Sequence, residues 1–156
     1  MVGTSTSGPT GEPMTRTTGA SGELPVLTVG DLGHLLKDSL GTLFPEDLWV
    51  EGQVSGFHDA RSGHAYFDLV EPSDVPGRAV AAKFSVALFK GNRPGVDQTL
   101  AAAGGLVLGD DLQLRIRARL DFYPPNGRLQ LIMNGVDPTF TLGLLAAERD
   151  RLLRAL

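Results

Sequence analysis

The sequence predicts a mainly β protein: a five-stranded barrel with one helix before the strands, a short helix between the third and fourth, and a helix after the fifth. Apolar and polar residues alternate over five short segments, apolar residues recur at helical spacing in three others, and many of the 20 glycines and 10 prolines fall between these segments. The length of 156 residues suits one compact domain and excludes two large ones. Because the chain has no cysteine, disulfides, thiolate metal sites and a cysteine nucleophile are excluded.

The chain is predicted to begin with a disordered tail over residues 1–23. These residues are mostly Gly, Ser, Thr and Pro, and they cannot bury enough apolar surface to offset the entropy of ordering. Residues 28–43 then carry one valine and several leucines at helical spacing, with Thr28 as the N-cap, which predicts an amphipathic helix. Gly41 and Pro45 are expected to end that helix.

After this helix, apolar residues recur at every second position, as in β-strands. Residues 48–57 and 64–70 are predicted as the first two strands, joined by a polar hairpin loop, and residues 79–90 as the third. A short helix is predicted from Val96 to the paired glycines that follow Ala103.

The clearest alternation covers residues 112–120, which predict a half-buried fourth strand. A loop over 121–127 leads to a fifth strand over 128–136, and residues 142–156 are predicted to begin a linking helix that has no C-cap and looks cut. The inward positions of the fifth strand are predicted to be Leu129, Leu131 and Met133.

This order of elements matches the OB-fold, a five-stranded Greek-key barrel. Its second and third strands, with the loops between strands 1–2 and 4–5, bind oligonucleotides or oligosaccharides. The OB domain is expected to occupy residues 24–141. A small open β-sandwich is the alternative that the same five strands could build.

The charges are segregated along the chain. The net charge of −4 counts against a strongly basic nucleic-acid binder. However, residues 24–77 hold two basic against nine acidic residues, net −7, whereas residues 78–141 hold eight basic against five acidic residues, net +3. A strongly dipolar domain is therefore expected. No apolar run is long enough to span a bilayer or to act as a signal peptide, so we expect no membrane partner and a cytoplasmic location.

Three arginines form the most suggestive feature of the fourth strand. Arg115, Arg117 and Arg119 alternate with apolar residues, so strand geometry places them on one face about 6.6–6.8 Å apart. This spacing is comparable to that of phosphates on an extended single strand, which makes the row a candidate phosphate track. The alternative is a solvated outer face that serves solubility.

Aromatic residues fall in the same zone of the predicted barrel. Phe57 and His58 open the first hairpin loop, Tyr66 faces away from the core, and Phe122 and Tyr123 lie in the predicted loop between strands 4 and 5. Exposed aromatic rings stack on bases at about 1–3 kcal/mol each. The alternative is that Phe57 and Phe122 seal the ends of the barrel, whereas Phe67, Phe84 and Phe89 are expected in the core or an interface.

Catalysis finds little support in the sequence. The three histidines, His34, His58 and His64, lack metal-ligand spacing, and no serine or glycine motif for a nucleophile or a phosphate loop is present. We therefore predict no catalytic residue, no metal site and no cofactor in this chain.

Four segments closely resemble, in order and spacing, the N-terminal domain of the large subunit of bacterial exodeoxyribonuclease VII. They are residues 49–56, 62–69, 88–91 and 125–131, and residues 27–32 are similar to that family's entry helix. The resemblance covers about residues 26–156.

The resemblance implies an OB-fold that binds single-stranded DNA and delivers it to a following nuclease domain. That later domain would carry the metal-dependent hydrolysis of DNA, and a later helical part would bind the small subunits, so this chain is not expected to cut DNA alone. By resemblance, the turn ending at His64, together with Tyr66 and Arg128, falls in the binding surface. The complete predicted nucleic-acid-binding set is Phe57, Arg61, His64, Tyr66, Arg115, Arg117, Arg119, Tyr123 and Arg128.

Some residues depart from the family's pattern. Ser85 and Lys90 stand where relatives often carry arginine, and Pro72 and Pro76 make an unusual connection between strands 2 and 3, so affinity rather than fold is expected to differ. The alternative function is a protein-interaction OB module without DNA binding. It rests on the acidic first half and on the apolar stripe of the final helix.

Overall fold

A computed structural model describes residues 22–155, so nearly all of the predicted tail, residues 1–23, lies outside the described residues. Within them no helix combines the length and the apolar character needed to cross a membrane. The helices are α1 (Val29–Leu43), α2 (Arg93–Ala102) and α3 (Pro138–Arg154). The strands are β1 (Leu48–Asp59), β2 (Ala65–Pro72), β3 (Val80–Leu88), β4 (Gln113–Tyr123) and β5 (Arg128–Val136).

The five strands form a closed barrel in the order β1-β2-β3-β5-β4. β4 returns to pair with β1, and β3 pairs with β5 in parallel, while the other neighbouring pairs are antiparallel. This is the strand order of the OB-fold, which confirms the predicted barrel and excludes the open sandwich. The two pairings that close the barrel join strands that are not consecutive in the chain.

The core lies inside the barrel and follows the predicted alternation. In β2 the inward residues Ala65, Phe67 and Leu69 are buried between half-buried neighbours, as period-two patterning requires. Helix α2 adds Val96 and Leu100 to the same core. The other buried members of the core cluster are Val54, Val86, Leu88, Leu108, Leu114, Ile116, Ala118, Leu131, Met133 and Val136.

Helix α1 begins where the sequence predicts. The backbone N–H of Asp31 donates to the Thr28 hydroxyl at 3.0 Å, and the backbone N–H of Thr28 donates to the Asp31 carboxylate at 3.3 Å, which makes a capping box. The helix continues through Gly41, so the expectation that Gly41 helps to end it is wrong. Gly33 is buried against Pro124, which places α1 beside the connection between β4 and β5.

The hairpin of β4 and β5 is longer than predicted. β4 continues to Tyr123 instead of ending near Leu120, so Phe122 and Tyr123 pair with β5 as strand residues and do not lie in a loop. Leu129, predicted to face inward, is 38% exposed. It lies at the hairpin tip, opposite Phe122 and away from the residues that fill the barrel. The last helix also starts earlier than predicted, because Asp137 caps it and Pro138 is its first residue.

Two glycine-to-alanine substitutions are expected to change stability in opposite directions. A Cβ at Gly52 would lie 2.7 Å from Cγ of Leu69 and 3.0 Å from the carbonyl oxygen of Val70, so Gly52→Ala should lower the free energy of unfolding by about 1–3 kcal/mol. Gly41 lies in α1 with no atom near its missing side chain, so Gly41→Ala should raise it by about 0.5–1 kcal/mol. Urea unfolding of both variants would check this, and a stabilised Gly52→Ala variant would contradict the close approach of β1 and β2.

Candidate nucleic-acid interface

The charge segregation of the sequence is cancelled where β1 lies beside β4. Arg115 stands directly opposite Glu51 and forms an ion pair of 2.6 Å with it, and a second of 3.0 Å with Asp137. Arg117 lies 3.9 Å from the carboxylate of Asp47. On this face, acidic and basic residues that are far apart along the chain are therefore neighbours in space.

The three arginines of β4 consequently have different surroundings. Arg115 lies 4.9 Å above the ring of Phe140, and its hydrogen bonds to Glu51 and then Asp137 raise its pKa above the ordinary value. Arg117 donates to the side-chain oxygen of Asn134 at 2.7 Å. Arg119 makes no ion pair with any residue between 22 and 155. Of the row, Arg119 has the charge most accessible to a phosphate.

Asp137 makes the stability of the fold depend on pH. Hydrogen bonds from the Thr139 side chain and from Arg115 hold the pKa of Asp137 below its ordinary value. Because the folded pKa is lowered, the carboxylate stabilises the fold near neutral pH, and this contribution is lost as the pH falls through the folded pKa, below about 4. Asp137→Asn keeps the size and the capping oxygen but removes the charge.

We therefore expect the stability difference between the native chain and Asp137→Asn to be present at pH 7 and to disappear in acid. Urea unfolding at pH 7, 5, 4 and 3 would measure it. A difference that stays constant over this series would show that the charge of Asp137 has no stabilising role.

A shallow cleft of about 380 Å³ opens on the outer surface where β2, β3 and β5 lie side by side. Its floor follows from the register, because Asp68 pairs with Ser85, and Ser85 pairs with Gln130. We call it the β2–β3–β5 cleft. Its lining residues are Gly56, His58, Tyr66, Phe67, Asp68, Ser85, Val86, Arg128 and Gln130.

Four rings form a connected aromatic cluster beside this cleft. The ring of Tyr66 lies 5.7 Å from that of His58 and 6.4 Å from that of His64, and His64 meets Phe89 edge-on at 5.1 Å. His64 is held in place, because its Nδ1 accepts a 2.9 Å hydrogen bond from the backbone N–H of Lys90. The cluster offers partly exposed ring surfaces on which unpaired bases can stack.

The remaining predicted site residues lie outside the cleft. Phe57 is half-buried, packs 6.2 Å from Phe67 and lies under the guanidinium of Arg93 at 5.7 Å, a placement that favours the alternative in which it seals the barrel. Arg61 is exposed in the turn between β1 and β2. Tyr123 is 54% exposed and stands opposite Arg128 at the hairpin tip.

Several residues of this surface are absent from the predicted binding set, although Ser85 stands where relatives often carry arginine. Ser85 and Gln130 reach the cleft through the parallel pairing of β3 with β5, which no local pattern reveals. Phe89 was predicted as a core or interface residue, yet it is 36% exposed and contacts His64. Phe89 lies directly before Lys90 in a segment that resembles the family, and this position was the feature of the sequence that could have indicated a binding role. In the described part of the chain, no group of three or more His, Asp or Glu side chains could hold a metal ion.

The comparisons with known proteins agree with the observed fold. Residues 27–137 match a family described as an OB-fold nucleic acid binding domain. The exodeoxyribonuclease 7 large subunit of Pseudomonas aeruginosa (strain LESB58) is 32% identical over 146 residues, covering 83% of this chain and 28% of that protein. The same subunit of Azotobacter vinelandii is 30% identical with the same coverage. The chain thus spans less than a third of the length of these relatives.

Among solved structures, the dimeric N-terminal domain of the PriB protein from Thermoanaerobacter tencongensis aligns with a TM-score of 0.38 at 10% identity. The alignment covers 60% of this chain and 96% of that one. This similarity is too low to inform function.

Proposed function

Since the chain belongs to the family of OB-fold nucleic acid binding domains, we propose that it binds single-stranded DNA through the β2–β3–β5 cleft. In this proposal it acts as the DNA-binding module of an exodeoxyribonuclease VII large subunit and delivers the strand to a nuclease domain. The resemblance to such subunits supports this role, and it makes the small subunit an expected partner of the longer protein.

The observation that carries the proposal is the meeting of aromatic rings and an arginine in one cleft. Tyr66 and His58 line the same 380 Å³ space as Arg128. The rings stack on bases and the guanidinium binds a phosphate. OB-folds bind single strands in this way without sequence specificity. The bases of a duplex are stacked on each other and cannot reach these rings, so single strands should be preferred and base preference should be small.

Two basic residues in or beside the cleft suit a phosphate backbone. Arg128 lines the cleft, Lys90 donates its backbone N–H to His64 of the aromatic cluster, and neither makes an ion pair among residues 22–155. Asp68 places a negative charge in the cleft floor, so we expect the phosphates to follow the Arg128 side. Arg115 is already bound to two carboxylates, and its role in this proposal is to hold β4 to β1 and to the start of α3.

Fluorescence anisotropy tests the proposal. The full chain would be titrated into labelled single-stranded and duplex oligonucleotides at several salt concentrations. We expect tighter binding of the single strand, with affinity that falls as salt rises. Arg128→Ala should reduce the salt slope by about 0.7, the value of one phosphate contact to a single strand. The matched control Arg149→Ala removes an exposed arginine of α3 and should leave the slope unchanged. Equal affinity for duplex, or a native slope in Arg128→Ala, would contradict the proposal.

A protein-interaction module is the second candidate function. One observation favours it: Leu32, Leu36 and Leu43 of α1 are 48%, 42% and 68% exposed, although they belong to the apolar stripe of that helix. Exposed apolar stripes of this kind dock against partner proteins. No DNA binding at low salt, together with concentration-dependent association in sedimentation velocity, would favour this function over the first.

A further inference from the structure

A second groove, of about 350 Å³, lies on the face formed by β1, β4 and β5 next to the start of α2. Trp49, the second residue of β1, lines it and is 54% exposed, although it is paired with β4. We call it the Trp49 groove. Its polar lining residues are Asn92, Thr99, Arg117 and Asn134. The groove shares no lining residue with the β2–β3–β5 cleft.

Arg117 is fixed in this groove by the local geometry of β5. Arg117 pairs with Gly135 and Ala118 pairs with Met133, so Asn134 is an extra residue in β5, a β-bulge. The bulge brings Asn134 to the guanidinium, which donates to its side-chain oxygen at 2.7 Å and to its carbonyl oxygen at 3.2 Å.

Gly135 provides the space for this arrangement. A Cβ at that position would lie 3.0 Å from Cζ of Arg117, closer than most packed side chains come, so the guanidinium would have to shift if a side chain were present. Trp49 stands directly opposite Arg117 on β1, where side chains of paired residues are about 5 Å apart. An exposed indole therefore lies beside a guanidinium whose position is set by two hydrogen bonds.

We propose that the Trp49 groove is a second contact for the same single strand, with a base stacked on the indole and its edge facing Asn92 and Asn134. This inference rests on the proposed function, because it places the groove on the path of a strand already bound in the β2–β3–β5 cleft. Trp49 supplies the stacking surface. The Asn134 amide already accepts from Arg117 and donates to the Asp47 carboxylate at 3.0 Å, so the Asn92 amide, which makes no capping hydrogen bond to α2, supplies the donors and acceptors for any of the four bases.

Strand β5 connects the two sites. Gln130 lines the cleft and Asn134 lines the groove, and four residues of strand span about 13 Å. Arg119 pairs with Ile132, midway between them, and is the arginine of β4 that has no ion pair within residues 22–155. A strand that occupies both sites fits the site size of about 4–16 nucleotides per OB-fold.

Trp49 is the single tryptophan of the chain, so intrinsic tryptophan fluorescence reports on this groove alone. The full chain would be titrated with an unlabelled twelve-nucleotide thymidine oligomer while its fluorescence is followed, and a labelled copy of the oligomer would give anisotropy in parallel. We expect quenching that saturates at the same protein-to-DNA ratio as the anisotropy. Trp49→Ala should weaken binding about tenfold, whereas Trp49→Phe should retain most of the affinity because it keeps a ring.

The outcomes separate this inference from the proposed function. Anisotropy that reports binding without any change in tryptophan fluorescence would contradict DNA contact at the Trp49 groove, but not DNA binding in the β2–β3–β5 cleft. No binding by either measurement would overturn both. A fluorescence change that depends on protein concentration in the absence of DNA would also overturn the inference, because it would show that copies of the chain cover Trp49. Quenching in the native chain does not depend on whether a variant folds, and thermal unfolding followed by circular dichroism would check the variants.

Discussion

Removing Tyr66 and Arg128 together is expected to weaken single-strand binding about 100-fold. The ring contributes stacking of about 1–3 kcal/mol, and a hydrogen bond between an arginine and a phosphate contributes about 1.5–3 kcal/mol. The lower ends of these ranges add to about 2.5 kcal/mol, which corresponds to a loss of affinity somewhat under 100-fold, and larger values within the ranges exceed it. Both side chains line the same cleft, and neither belongs to the hydrophobic core, so the fold should persist in the double alanine variant.

Fluorescence anisotropy at one fixed salt concentration would measure this loss. The matched control is the double variant Tyr66→Phe with Arg128→Lys, which keeps a ring and a positive charge and should lose much less affinity. Binding reduced equally in the two double variants would show that ring stacking and charge are not what the cleft contributes. Native affinity in the alanine variant would place the DNA elsewhere on the barrel.

The largest expected effect on stability comes from Leu114→Ala. Leu114 has no exposed surface and lies in β4, whose residues contact both β1 and β5 at the barrel seam. Its truncation removes buried methyl groups and leaves a cavity among strands that cannot easily collapse, at an expected cost of about 2–5 kcal/mol. Urea unfolding followed by circular dichroism at 222 nm would give the difference in the free energy of unfolding.

Leu129→Ala is the matched control for this substitution. It makes the same chemical change at a leucine that is 38% exposed at the hairpin tip, so its cost should be much smaller. Equal destabilisation by the two variants would mean that the tip of the β4–β5 hairpin is packed as tightly as the barrel interior. That outcome would contradict the burial pattern of the fold.

The barrel could be predicted from the sequence because most of the strands bury one face in a common core and expose the other to water. Residues 112–120 alternate strictly, since the inward positions of β4 fill the barrel and the outward ones meet water. The prediction failed at the hairpin tip, where Tyr123 and Leu129 are both exposed. Beyond the core, burial no longer imposes a period of two, so apolar residues there do not reveal which way they face.

The candidate site was only partly predictable. Tyr66 and Arg128, which alternation and the family resemblance predict as binding residues, both line the β2–β3–β5 cleft. Ser85 and Gln130 become neighbours only through the pairing of β3 with β5, which depends on the whole topology. The ion pair of Arg115 with Glu51 joins residues 64 positions apart, so a count of charges along the chain could not reveal that it exists.

The closing pair of β1 and β4 also has a consequence for the order in which the protein folds. The hairpins β1–β2, β2–β3 and β4–β5 connect nearby residues, but the other edge of β1 must find a partner 64 positions away. Closing so long a loop costs chain entropy before any contact compensates for it. We therefore expect β1 and β4 to join late in folding, after the hairpins. On the ribosome, the free edge of β1 then stays unpaired until β4 has been synthesised, and for that interval it is open to pairing with other chains.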